Sequence, residues 1–291
     1  YEKMSKGECG LIIKGHLYIM DSGKAHDGMA GISKDVQIPM LKKLTDAVHE
    51  HGGHIVAQIN HGGVVHSPDR AGPSVYGEDD WIARAFSGDE IESIIEGYGD
   101  AAERAMQAGF DAVQIHGAHG YLISQFLSKH VNKREDKWGG NLENRMRLLL
   151  EVYDEVRGKL GNAPVMLKMN SDDFSDDGFT IEESAIVAKA IAAKGIDLIE
   201  VSGGGRGRRA DLRERAKNSD YPDLDFGGHA VKIREATEPT PMGLVHGYTN
   251  LETMEKTIEA DLTDMVSMSR PFIREPGLVK RLKAGAKETT C

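Results

Sequence analysis

Between Gly109 and Arg145 the chain reads GFDAVQIHGAHGYLISQFLSKHVNKREDKWGGNLENR, and within it His116, His119 and Tyr121 stand close enough to share one reaction site. Imidazole N–H groups can hold a carbonyl oxygen and stabilise the negative charge that develops on it. A phenol can pass a proton to carbon chemistry nearby. Lys168 sits inside the apolar run Met166-Leu167-Lys168-Met169-Asn170, where an ammonium is costly unless it is paired. Gln58, in Gln58-Ile59-Asn60-His61-Gly62-Gly63, carries both a donor and an acceptor and suits a ring edge that offers both. A metal centre built from His61, His116, His119 and His246 is the competing chemistry, since imidazole is a common zinc ligand. Against it, no His-Glu-x-x-His motif occurs and no carboxylate pairs with these histidines.

The elements that must hold these groups alternate short apolar runs with amphipathic ones, the pattern of a parallel sheet with crossover helices. Strands are expected at Gly10–Ile19, His54–Asn60, Ala112–His116, Pro164–Asn170, Leu198–Ser202, Pro241–His246 and Met265–Ser269. They are dense in Ile, Val, Leu and Met, as strands buried on both faces are. Leu142, Met146, Leu149, Tyr153 and Val156 recur on one helical face, with Asn141 as N-cap. Ser87–Glu90, Thr180–Glu183 and Thr249–Glu252 each fit a capping box. The reading is a (β/α)₈ TIM barrel, one domain over residues 1–291, with His116 and its neighbours at the C-terminal mouth of the strands. Only seven strands are found where such a barrel closes with eight, so the first strand is expected to be missing. The long segments Gly62–Trp81 and Gly203–Asp225 are expected to be polar loops.

Composition narrows the classes. Acidic residues outnumber basic ones, 46 to 36, and the net charge of −10 argues against a nucleic-acid or anionic-membrane binder. With two cysteines, Cys9 and Cys291, there is no disulfide framework, and a reducing cytoplasmic setting is the default. No stretch approaches the roughly 20 apolar residues of a membrane span. The expected partner is a small molecule; a homo-oligomer is left open.

The Gly109–Arg145 stretch resembles the signature of the old yellow enzyme, or NADH:flavin oxidoreductase, family in spacing as well as residue type. The resemblance implies an ene-reductase: NADH or NADPH reduces FMN, and hydride passes on to an alkene conjugated to a carbonyl. It implies that His116 and His119 hold the carbonyl oxygen and that Tyr121 is the proton donor. The Gln58 segment resembles the family's Gln-x-x-His-x-Gly motif, which implies that Gln58 reads the flavin edge. Asn60 and His61 are expected only to order the loop. Lys168 falls where most of the family has Arg beside the flavin; it keeps the charge but not the bidentate fork.

Gly15 and His16 lie where the family's backbone runs against the flavin, and His16 stands at a normally small position. Barrels often bind phosphate with their last two strand-end loops. Here those loops offer Gly247, Ser269 and Arg270, of which Gly247 and Arg270 match the family and Ser269, like His246, departs. Arg134, Asp136, Glu143 and Arg145 match family positions and read as scaffolding. Arg206, Arg208 and Arg209 read either as a site for a cofactor phosphate or as a solvated loop. The resemblance spans nearly the whole chain and implies that it is clipped at both ends. Its start resembles the end of a helix, and Cys291 resembles the first cysteine of a C-terminal cysteine segment. An inactive barrel fragment is the third reading.

Overall fold

The computed structural model describes residues 1–65, 70–78, 81–204, 224, 226–245 and 247–291. Its centre is a parallel sheet of seven strands in the order β1 (Ile12–Tyr18), β2 (Ile55–Asn60), β6 (Ala112–Gly117), β7 (Val165–Asn170), β8 (Leu198–Ser202), β9 (Met242–Val245) and β10 (Met265–Ser267). Each expected strand is present: Leu198–Ser202 is unchanged, β6 is extended by one residue, and the others are shortened by one or two residues at an end. Sequence-adjacent strands pair in parallel, and helices cross between them, as in a partial (β/α)₈ barrel.

Period-two alternation sorts the strand residues into two sets. Ile55, Ala57, Ile59, Val113, Ile115, Val165, Leu167, Met169, Ile199 and Val201 pack outward in the main core. That core also takes the apolar faces of α3 (Gly88–Gln107), α5 (Leu142–Leu160) and α6 (Ile181–Ala193). Facing the interior, Val56, Ala112 and Met166, with Leu11, Ile13 and Leu198, form a separate apolar layer at the base. Above it the inward positions turn polar: Gln58 and Asn60, Gln114 and His116, Lys168 and Asn170, Glu200 and Ser202. The apolar floor excludes water from below, so these polar groups must find partners among themselves or in whatever occupies the mouth.

Local signals start the helices as expected, with one correction. Ser87 forms a full capping box with Glu90, and Asn141 accepts from the N–H of Asn144. Thr180 accepts from the N–H of Glu183, but the box expected there does not close, since the Glu183 carboxylate turns to Arg145 and Lys129. The helix Leu251–Glu259 is capped by Asn250, not by Thr249; the Asn250 side chain accepts from the N–H of Thr253. Asn is at least as good a cap as Thr, and its place one residue later sets the start. The Gly62–Trp81 segment also departs from a plain loop. It carries β3 (Ala71–Gly72) and β4 (Tyr76–Glu78), which flank β5 (Trp81–Ala85) in a small separate sheet. Strands this short leave too little alternation to be read in advance. The segments with Arg206, Arg208, Arg209 and His246 lie outside the described residues.

Candidate active site

At the C-terminal end of β6, His116 is 3% exposed, and α4 (Leu122–Leu127) begins at once after Tyr121. The turn between them is sharp because His119 takes a left-handed backbone, φ 62°, followed by Gly120 at φ 74°. A non-glycine residue in that region costs roughly 1–3 kcal/mol and must be held there. Asn170, at the end of β7, does so: its Oδ1 accepts from the His119 N–H at 3.0 Å. The Nε2 of His119 lies 2.7 Å from the Ser202 hydroxyl at the end of β8. The two imidazoles meet edge to face, 5.4 Å between centroids, and the His116 ring lies 5.1 Å from that of Tyr121.

A third imidazole completes the cluster. The β1–β2 register shifts between Lys14 and Leu17, so that Lys14 pairs with Ala57 and Leu17 with Ile59. One extra residue on β1 reverses the alternation beyond it. Gly15 is left exposed, Leu17 turns into the outer core, and His16 turns into the mouth. Its ring lies 4.7 Å from Tyr121 and 5.5 Å from His116. Burial lowers the His16 pKa to about 4, with help from the charges of His26 and Lys14. Burial also drives His116 well below its ordinary range, reinforced by His119, His16 and Lys168. Both rings are therefore neutral near pH 7, each with one N–H to donate. The His116 Nδ1 and the Asn60 Oδ1 are sealed from solvent and have no hydrogen-bond partner among the described residues.

One layer below, a polar chain crosses the interior. Gln58 Nε2 donates to Gln114 Oε1 at 2.6 Å, and Gln114 Nε2 donates to Glu200 Oε2 at 3.0 Å. The same Glu200 oxygen meets the Lys168 ammonium at 3.1 Å, while Glu200 Oε1 accepts from the Ser267 hydroxyl at 2.6 Å. Lys168 is thus paired, as its burial requires. Burial raises the Glu200 pKa, but Lys168, Ser267 and Gln114 together outweigh it and hold the carboxyl below its ordinary range.

The structure brings His16, His116, His119 and Tyr121 into one cluster and links Gln58 to Lys168 beneath it. Gly247, at φ 95°, and the exposed Ser269 and Arg270 follow β9 and β10, which are neighbours in the sheet. Gly15 has open space where a side chain would stand. His61 serves the scaffold, as expected: its Nδ1 accepts from the Gly63 N–H at 3.0 Å, its Nε2 lies 3.4 Å from Ser22, and it is 1% exposed. Among the described residues no group of three or more His, Cys, Asp or Glu could hold a metal ion. Arg145 is scaffolding as well, 1% exposed and bonded to Glu183 at 2.6 Å and to the Leu127 carbonyl.

The sequence reading missed Gln114, Glu200, Ser202 and Ser267. The first three carried a signal: on β6, β7 and β8 polar residues stand two apart, Gln114 with His116, Lys168 with Asn170, and Glu200 with Ser202. That spacing puts each pair on one face of its strand.

A family model described as NADH:flavin oxidoreductase / NADH oxidase matches residues 1–289. The chain belongs to that family. Among its relatives, a probable NADH-dependent flavin oxidoreductase of Bacillus subtilis, YqiG, is 37% identical over 97% of this chain and 76% of its own length. An N,N-dimethylglycine/sarcosine dehydrogenase of Chromohalobacter salexigens is 32% identical over 97% of this chain, which spans only 42% of that longer protein. The old yellow enzyme homologue of Zymomonas mobilis superposes with a TM-score of 0.83 at 28% identity, over 100% of this chain and 84% of its own. Membership makes the chain part of a flavin-dependent oxidoreductase. No helix among the described residues is long and apolar enough to cross a membrane.

Proposed function

We propose that this chain is a single catalytic barrel unit that reduces small alkenes conjugated to a carbonyl, with FMN in the mouth and NADH or NADPH as the electron source. The observation that carries the reading is the sealed, unpartnered Nδ1 of His116 beside His119 and Tyr121. A buried polar atom without a partner is costly, and its cost is offset when a ligand supplies the missing hydrogen bond.

The residues present fit an FMN ring. Gln58 Oε1 and the remaining N–H groups of Lys168 would meet a ring edge with a donor and acceptors, and the open space at Gly15 leaves β1 backbone free to lie against a flat group. Gly247, Ser269 and Arg270 would hold the phosphate, Arg270 by charge-assisted hydrogen bonds. When bound, FMN supplies the hydride chemistry. The protein's own part is polarisation and proton delivery. His116, as a neutral N–H donor, and His119 beside it hold the substrate carbonyl and stabilise the charge that grows on its oxygen. The Tyr121 hydroxyl donates the proton to carbon. His16 closes the side of the mouth next to Tyr121. The low cysteine count fits a cytoplasmic setting.

The test is NADH- or NADPH-dependent turnover of conjugated and isolated alkenes under anaerobic conditions with added FMN. The reading expects reduction of the conjugated alkenes alone, lost when His116 and His119 are both replaced by Ala. Cofactor oxidation that proceeds only with oxygen or an amine would show that another substrate class is served.

A further inference from the structure

We propose that Glu200 is a positioning residue for the cofactor's polar edge, fixing through its negative charge both the Lys168 ammonium and, by way of Gln114, the orientation of the Gln58 amide. The inference rests on the reading of Gln58 and Lys168 as FMN contacts and extends it to a residue that touches neither cofactor nor substrate.

Glu200 is 1% exposed, and its carboxylate faces Lys168, Gln114 and Ser267. An ionised carboxylate can only accept. Gln114 must therefore turn its Nε2 toward Glu200, which leaves its Oε1 toward Gln58. Gln58 must in turn give its Nε2 to Gln114, which fixes its Oε1 as the amide atom turned away from Gln114. One buried charge thus decides, two side chains away, that Gln58 offers an acceptor and not a donor. A neutral amide at position 200 could donate as well as accept, and the whole chain could then reverse. The same charge anchors Lys168, a flexible side chain that would otherwise be free to sample other rotamers. Buried networks of this kind are costly when half satisfied and selective when complete.

The test uses the full chain, FMN as the probe, and two readouts: FMN affinity by fluorescence quenching and the midpoint potential of the bound FMN by dye equilibration. Glu200→Gln is expected to weaken FMN by about ten-fold, the worth of one good hydrogen bond. It is also expected to move the potential positive, because a negative charge beneath the ring is gone. Gln114→Leu cuts the link to Gln58 but spares the ion pair, so it is expected to weaken FMN and leave the potential unchanged. Glu200→Asp keeps the charge and is expected to recover most of the potential. The Gln114 and Asp variants keep the test decisive if Glu200→Gln fails to fold. Wild-type affinity and potential in folded Glu200→Gln, or a potential shift in Gln114→Leu equal to that of Glu200→Gln, would overturn the inference. A wild-type chain that takes up no FMN would remove the underlying reading, and the inference with it.

Discussion

The side-chain amide of Asn60 lies 2.7 Å from the Nδ1 of His16, across the β1–β2 pair. With the Asn60 nitrogen as donor, Nδ1 accepts, and the ring's one proton is left on Nε2. His16 is therefore an oriented group in the mouth and not a surface residue at a strand end. It fills space beside Tyr121 that a smaller residue would leave open. His16→Ala is expected to retain FMN and to raise kcat/KM for bulky alkenes relative to small ones. Paired kinetics on a short and a ring-bearing substrate check this; an unchanged ratio would mean that His16 does not shape the pocket.

His116 has the most to lose at the reaction step. Replacing it with Ala removes a positioned donor, and kcat is expected to fall by about 10²- to 10³-fold. FMN affinity is expected to hold, because the Gln58–Gln114–Glu200–Lys168 chain stays intact. His119→Ala should cost less in the His116→Ala background than when made alone, since residues acting as a unit are not additive. Rapid-mixing kinetics that separate reduction by NADH from oxidation by the alkene would place the loss in the second half.

Acid should destabilise the fold through His61. Burial lowers its folded pKa to about 4, against an ordinary value of 6.5. In the unfolded chain the ring gains its proton first as the pH falls, so the unfolded state binds more protons over that window. The stabilisation is complete above the unfolded value and is lost as the pH falls from about 6.5 to about 4. From the two values the loss is about 3 kcal/mol. Denaturant titrations across the window should show a shallower decline for His61→Gln than for the wild type. An equal decline would assign the acid sensitivity to other groups.

The Arg145–Glu183 pair holds the segment after α4 against α6. Arg145 is 1% exposed and its guanidinium meets Glu183 at 2.6 Å. Glu183→Gln leaves the buried Arg145 guanidinium without its carboxylate and is expected to cost about 3–5 kcal/mol. Arg145→Met leaves Glu183 paired with Lys129 at 2.6 Å and is expected to cost less. Thermal melts check the size of the loss, and a loss below about 1 kcal/mol would place the pair among surface-like bridges.

Much of this was legible from the residues. The strands announced themselves because both faces are buried and the apolar runs are continuous. The His116, His119 and Tyr121 constellation was legible because it is local in the chain. What stayed hidden depends on contacts between strands. The β1 bulge that turns His16 inward is a register shift against β2, which no local pattern records. The role of Glu200 was hidden because its partners Gln114, Lys168 and Ser267 come from three other strands. The small sheet of β3, β4 and β5 was hidden by the shortness of its strands.

The most direct test of the central claim is the visible absorption spectrum of the purified chain, with FMN added if needed, before and after NADH or NADPH without air. The account predicts a yellow protein whose flavin bands bleach on reduction and return when a conjugated alkene is added. A chain that stays colourless and leaves added FMN unbound would contradict it.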